Sequence, residues 1–165
     1  MNRRSLVVLV LGVLLSSVAL SAQIRAEKPN DFSLELAGKC FIYSFTYQRM
    51  IVPAFGLEVG ASYIGGGTGE GSAGVMFLSG GGRFYLLNKN TSPYLSGGLV
   101  WVSTGTNAGP LSGGGSGVYY YVSPGFEMRM AGGFLFRAGV NFIIVGIEEE
   151  TGFFVWPGLS LGVAF

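Results

Sequence analysis

Six charged side chains are the residues of this chain best placed to do chemistry: Glu35, Glu58 and Glu127, with Arg83, Arg129 and Arg137. They occur singly, each on the parity opposite to an apolar stripe. Phe32, Leu34 and Leu36 alternate with Ser33 and Glu35, and Leu57, Val59, Ala61 and Tyr63 alternate with Glu58 and Ser62. Leu78, Phe84 and Leu86 oppose Ser79 and Arg83, while Phe126 and Met128 oppose Glu127 and Arg129. Phe134, Phe136, Val140, Phe142 and Ile144 oppose Arg137 and Asn141. A carboxylate can act as a general acid or base, or as a hard-oxygen metal ligand, but only with suitable partners. Histidine is absent from the sequence, which excludes an imidazole base and any His-based hydrolytic triad. A single cysteine, Cys40, leaves no thiolate and imidazole zinc site and no intramolecular disulfide. No catalytic, cofactor-binding or metal site is therefore expected. Three acids and three bases on one face predict an interior network of ion pairs instead. An unpaired buried charge would cost about 3–5 kcal/mol.

Two further motifs invite a chemical reading and fall short of it. The strings GGGTGEG and GPLSGGGSG are rich in glycine, yet neither ends in Gly-Lys-Ser/Thr or opens a helix, so they are not phosphate-binding loops. The run Glu148–Glu150 supplies three adjacent carboxylates without the spaced acidic pattern of a calcium loop, and reads as a solvated acidic loop.

The elements that must hold the six charges are strands. After Asp31 the sequence breaks into eight segments of roughly ten residues. They run over Phe32–Ala37, Phe41–Arg49, Gly56–Ile64, Val75–Leu87, Pro93–Ser103, Val118–Met130, Phe134–Val145 and Phe153–Phe165. Short connections (RMIVPAF, NKNTS, AGG) alternate with GKC and the mostly longer, glycine-rich GGGTGEGSAG, TGTNAGPLSGGGSG and GIEEETG. Reading 32–48 as one strand would leave seven and reverse the loop pattern; eight is the better count. Pro124 and Pro157 each fall inside a segment and precede a glycine, and a bulge is expected at each. Aromatic residues near the segment ends, among them Tyr43, Tyr63, Tyr85, Tyr94, Tyr119, Tyr121, Trp101 and Trp156, suggest girdles at two interfaces.

Composition says which medium the apolar stripes face. Only 12% of residues are charged, against about a quarter in soluble domains, and mean hydropathy is +0.50. Beyond Ala22 there is no long apolar run, so the remaining bilayer solution is a closed barrel with every backbone group paired between strands. Polar-in, apolar-out parity agrees with a membrane barrel, because a charge facing lipid at mid-depth costs about 2–4 kcal/mol. A soluble lipocalin-like barrel would invert it. Arg3 and Arg4, the apolar stretch 6–15 and the small residues 16–22 make a secretory signal peptide over 1–22, cut after Ala19 or Ala22. That stretch is too short for a retained spanning helix of about 20 residues. Residues 23–30 would follow as a flexible periplasmic leader, and 31–165 as the barrel. Net charge is +1 with scattered bases, which gives no case for nucleic acid.

The segments FSLELAGKCFIYSFTYQRM and GLEVGASY, and the closing WPGLSLGVAF, resemble the small outer-membrane β-barrels of the OmpA/OmpX-like superfamily, also described as porin-family proteins. The resemblance covers 31–165 and implies an all-β, eight-stranded antiparallel up-and-down transmembrane barrel in the cell outer membrane of a Gram-negative envelope. It also implies that the terminal stripe Leu159, Leu161, Val163 and Phe165 is the insertion signal. The implied partners are outer-membrane lipids and, during insertion, the barrel-assembly machinery; a monomer is expected. No catalytic motif of such relatives carries over, and the peptidoglycan-binding domain that many of them append is expected to be missing. The expected role is non-enzymatic, envelope-structural or surface-interacting through the loops Gly65–Gly74 and Thr104–Gly117. The alternative is a narrow channel, disfavoured because eight strands leave room only for their own interior side chains.

Overall fold

The computed structural model describes residues 23–68, 71–107, 113–147 and 150–165. The signal-peptide reading of 1–22 and the carboxylates of Glu148 and Glu149 lie outside them. A short helix, α1 (Gln23–Glu27), leads into eight strands: β1 (Asn30–Ala37), β2 (Tyr43–Val52), β3 (Phe55–Thr68) and β4 (Gly71–Tyr85), then β5 (Thr91–Asn107), β6 (Gly113–Arg129), β7 (Phe134–Ile147) and β8 (Glu150–Ala164). Each pairs antiparallel with its chain neighbours, and β1 closes on β8 from Asp31↔Ala164 to Ala37↔Gly158. The up-and-down eight-stranded barrel expected from the sequence is the one observed. Closure removes the free edges that an open sheet would present.

Parity decides which medium each side chain meets. Outward stripes expose Leu57, Val59, Phe84, Leu99, Phe126, Phe142, Leu159, Leu161 and Val163, giving the wall an apolar exterior. The inward stripes bury Ser33, Thr46, Gln48, Glu58, Arg83, Glu127 and Arg137. A water-soluble protein buries its apolar residues; this one turns them out.

Three features depart from the sequence reading. First, the glycine-rich segments expected as loops are largely strand. Gly65↔Gly74 to Thr68↔Gly71 extends the β3–β4 ladder, and Val102↔Gly117 to Thr106↔Gly113 extends β5–β6. Ladder hydrogen bonds use only backbone groups, so a tight hairpin can rise through glycine despite its low strand propensity.

Second, neither proline makes a bulge. The β5–β6 register passes unbroken through Leu95↔Pro124. The β6–β7 ladder omits pairs at Ser123 and Pro124 but resumes at Gly125↔Gly139 in the same frame. Pro157 pairs with Val140 without a shift. Asn30 and Phe165 exchange both backbone hydrogen bonds, so by alternation the odd-numbered residues of β8 face β1. Pro157 is the first such residue past the last β1 pair, so its missing N–H faces no strand.

Third, because parity persists, Tyr119 and Tyr121 point inward and are buried, as are Tyr85 and Tyr94. These four are core residues, not girdle residues. Tyr43, Tyr63 and Tyr120 remain outside.

The interior has two chemically distinct tiers. Charged residues run from the level of Asp31 up to Lys39 in the β1–β2 turn. An apolar cluster adjoins them at the far end: Phe77, Val100, Tyr119, Tyr121 and Ile143 pack with Cys40, and Phe41 joins them. Phe41 comes from the β1–β2 turn, a 3-10 segment over Gly38–Cys40 that folds into the barrel mouth. Ala37 and Phe41, on either side, both hold positive φ (56° and 68°), each at a cost of about 1–3 kcal/mol. The Phe41 ring offsets that cost by contacting Phe77, Tyr119, Phe154 and Trp156 at centroid separations of 5.6–6.2 Å.

Glycines make room for the inward tyrosines. Gly81, Gly98 and Tyr121 are neighbours across three strands, and a Cβ on Gly81 would lie 2.5 Å from both the Gly97 carbonyl oxygen and the Tyr121 hydroxyl. Gly81→Val should therefore lower the urea midpoint of the refolded barrel, at a cost of about 1–3 kcal/mol. Unchanged stability would mean that Tyr121 is not packed over Gly81.

Candidate functional site

The chemically dense region is the buried ion-pair core, and it starts from strand parity. Glu127 and Arg129 are two residues apart on β6, and both point inward toward Arg137 of β7, directly opposite Glu127. Arg137 Nε donates to Glu127 Oε2 at 2.6 Å, and Arg129 Nε donates to Glu127 Oε1 at 2.7 Å. Both arginines reach Asp31 of β1: the Nη2 atoms of Arg129 and Arg137 lie 2.6 and 2.7 Å from Asp31 Oδ2. Tyr85 completes the Glu127 shell by donating its hydroxyl to Oε2 at 2.5 Å. Glu127 therefore accepts several charge-assisted bonds, the strong class of hydrogen bond.

A second group sits toward the far end. Arg83 Nη2 pairs with Glu58 Oε2 at 2.6 Å. Lys39, from the β1–β2 turn, pairs with Glu35 at 2.7 Å and with Glu58 at 3.5 Å. Tyr121 donates to Glu58 Oε1 at 2.7 Å. Gln48 of β2 joins the two groups, its Oε1 accepting from Arg83 at 3.0 Å and from Arg137 at 2.9 Å. The six sequence-derived residues thus all lie in the lumen, and each touches an opposite charge.

Three members escaped the sequence reading. Asp31 shares the parity of Ser33 and Glu35, so extending the first segment by one residue would have found it. Lys39 lies in a turn, where parity gives no guidance. Arg25 belongs to the segment expected to be a flexible leader. It instead forms part of α1 and is 1% exposed. Its guanidinium donates to Glu127 Oε1 at 3.1 and 3.2 Å and to the Leu87 carbonyl, and lies 3.8 Å over the Tyr85 ring. A single arginine in a short polar segment carries no periodic signal.

With these additions the paired core holds four carboxylates and five cations. Its central members are sealed from solvent: Asp31, Gln48 and Glu127 are 0% exposed, and Arg137 is 1%. The arrangement ties side chains of several strands to one another through charge-assisted bonds. Among the described residues no group of acidic residues and Cys40 forms a metal-binding cluster.

Leu159, Leu161 and Val163 lie on the outer face of β8 and Phe165 directly follows it, all 45–58% exposed. This stripe is not brought near the ion-pair core.

No family model matches the chain, and no curated protein matches its sequence. Solved structures do match. The N-terminal β-barrel domain of Pseudomonas aeruginosa OprF aligns over 82% of this chain and 95% of its own, with 14% identity and a TM-score of 0.59. Neisserial surface protein A, NspA, aligns over 82% and 93%, with 12% identity and a TM-score of 0.51. At such identity the likeness speaks for the fold. In fold, the chain is a small eight-stranded barrel of the outer-membrane type, as its resemblance to the OmpA/OmpX-like superfamily implies.

Proposed function

We propose that this protein is a non-enzymatic integral component of the bacterial outer membrane, closed to solutes, that acts through the hairpins rising from its far end. The carrying observation is the inversion of polarity across the wall. The exterior is apolar on every strand, and the interior holds a buried ion-pair core of four carboxylates and five cations. An apolar exterior needs lipid around it, and a charge-filled lumen cannot serve as a lipid-binding calyx. The terminal stripe ending in Phe165 fits the signal read by the barrel-assembly machinery, and a monomer fits a barrel that closes on itself. A non-catalytic role is favoured because the lumen's carboxylates are all engaged by cations.

The β3–β4 and β5–β6 hairpins, spanning Gly65–Gly74 and Thr104–Gly117, carry the structural or surface-interaction role, since they extend past the apolar band as polar ladders. Excising 104–116 and closing the hairpin with a two-residue turn should leave the heat-modifiable migration of the folded barrel intact. In a strain lacking the native protein, the shortened form should fail to restore exclusion of a hydrophobic dye by the envelope. Full restoration by the shortened form would contradict a role for these hairpins.

A further inference from the structure

Arg25 reaches the ion-pair core from outside the strands and their turns, entering at the end of the barrel where the chain termini lie. Its guanidinium meets three walls. Glu127 Oε1 accepts from Nε and Nη2 at 3.2 and 3.1 Å, and the Leu87 carbonyl oxygen accepts from Nη1 at 3.1 Å. The Tyr85 ring is the third wall, its centroid 3.8 Å from the guanidinium carbon. A planar cation with donors on three nitrogens satisfies all three at once. An ammonium is a point charge with no face to lay on the ring, so the geometry suits a guanidinium.

The barrel holds these walls without help from Arg25. Glu127 is fixed by Arg129, Arg137 and the Tyr85 hydroxyl. Tyr85 packs edge-on against Tyr94 at 6.2 Å, and its hydroxyl accepts from Gln48 Nε2 at 3.1 Å. The Leu87 N–H donates to Ser92 Oγ at 2.9 Å, which fixes the start of the β4–β5 turn. Charge agrees: Lys39, Arg83, Arg129 and Arg137 already match Asp31, Glu35, Glu58 and Glu127 one for one. The occupant is held less firmly. Lys28 and Pro29 anchor the chain ahead of β1, their carbonyls accepting from Arg129 Nη1 at 3.4 Å and from the Met50 N–H at 2.6 Å. Before that anchor α1 has five residues, of which Ala26 and Glu27 are exposed. Isolated helices shorter than about 12–15 residues are marginal in water, so α1 depends on what Arg25 binds.

We propose that the terminal end of this barrel contains a guanidinium-binding site and that Arg25 is its tethered, exchangeable occupant. An external guanidinium, such as an arginine side chain presented from the same side, takes the three walls and releases α1. The ion pairs of the strands and of the β1–β2 turn remain in place in both states. The exchange therefore goes beyond the closed-barrel reading and does not depend on it.

The test empties the site with Arg25→Ala and adds N-ethylguanidinium to the refolded barrel in detergent micelles. The ligand should raise the urea midpoint saturably toward that of the unsubstituted protein, with a dissociation constant on the order of 1–10 mM for so small a molecule. Ethylammonium, which matches it in charge and ionic strength, should bind about ten-fold more weakly or not at all. The unsubstituted barrel should need about ten-fold more N-ethylguanidinium, because the tether gives Arg25 a millimolar or higher effective concentration. As it binds, the Ala26 and Glu27 amide resonances should move to their positions in Arg25→Ala. The peptide QIRAE, with the sequence of α1, separates the two sources of the group. Binding tighter than that of N-ethylguanidinium assigns the site to arginine within a chain, and equal binding assigns it to the guanidinium alone. If Arg25→Ala does not refold, Arg25→Gln empties the same site. Absence of saturable rescue, equal rescue by ethylammonium, or equal affinity for the substituted and unsubstituted barrels would each overturn the proposal.

Discussion

Glu127→Gln should be the most damaging single substitution in the barrel. Glu127 is fully buried and carries ion pairs from Arg25, Arg129 and Arg137. Its loss leaves three guanidiniums around a neutral amide, and breaking a buried pair in this way costs about 3–5 kcal/mol. The expected result is a large drop in the urea midpoint of the refolded protein, read by heat-modifiable migration. Arg25→Ala provides the contrast. Arg25 is the fifth cation against four carboxylates, so its removal brings the paired core to balance while Glu127 keeps Arg129 and Arg137. Its cost should be clearly smaller. Equal losses for the two variants would mean that the network is not organised around Glu127.

Arg137→Met should rank next, and its effect should depend on Asp31. Arg137 bridges Asp31 and Glu127 and also donates to Gln48 and Ser33. Alone, the substitution leaves two carboxylates short of a partner, again at about 3–5 kcal/mol. In a double-mutant cycle with Asp31→Asn, the paired loss should fall short of the sum of the single losses by about 0.5–3 kcal/mol, the range for residues in one network. Strict additivity would show that the 2.7 Å contact between Arg137 and Asp31 contributes nothing to stability.

The sequence shows parity well and closure poorly. A period-2 stripe needs only local alternation, so the inward positions of Glu35, Glu58, Arg83, Glu127, Arg129 and Arg137 could be read residue by residue. Which acid meets which base depends on the register between strands, and no single segment encodes that. The Glu127 and Arg137 pair is opposite across β6–β7, but Asp31 reaches Arg129 and Arg137 only because closure sets β1 beside β8, with its side chain pointing into the shared lumen. Strand lengths were underestimated where glycine dominates, at 65–68 and 113–117, because propensity scales describe side-chain packing and these ladders have little of it. The prolines misled for the opposite reason. Pro157 looks forbidden within a closed barrel, yet the short β1 leaves its missing donor without a strand to serve. Arg25 and Lys39 lie outside any strand, where only the folded chain brings them to Glu127 and Glu35.

The central proposal is that a buried ion-pair core seals this barrel, and planar-bilayer conductance tests it most directly. Protein shown to be folded by heat-modifiable migration should insert and give no sustained single-channel current, because Asp31, Gln48, Glu127 and Arg137 are buried against one another inside the lumen. A steady open-channel current whose size or ion preference changes on substitution of Arg83 or Arg137 would contradict the seal and make the lumen a pathway.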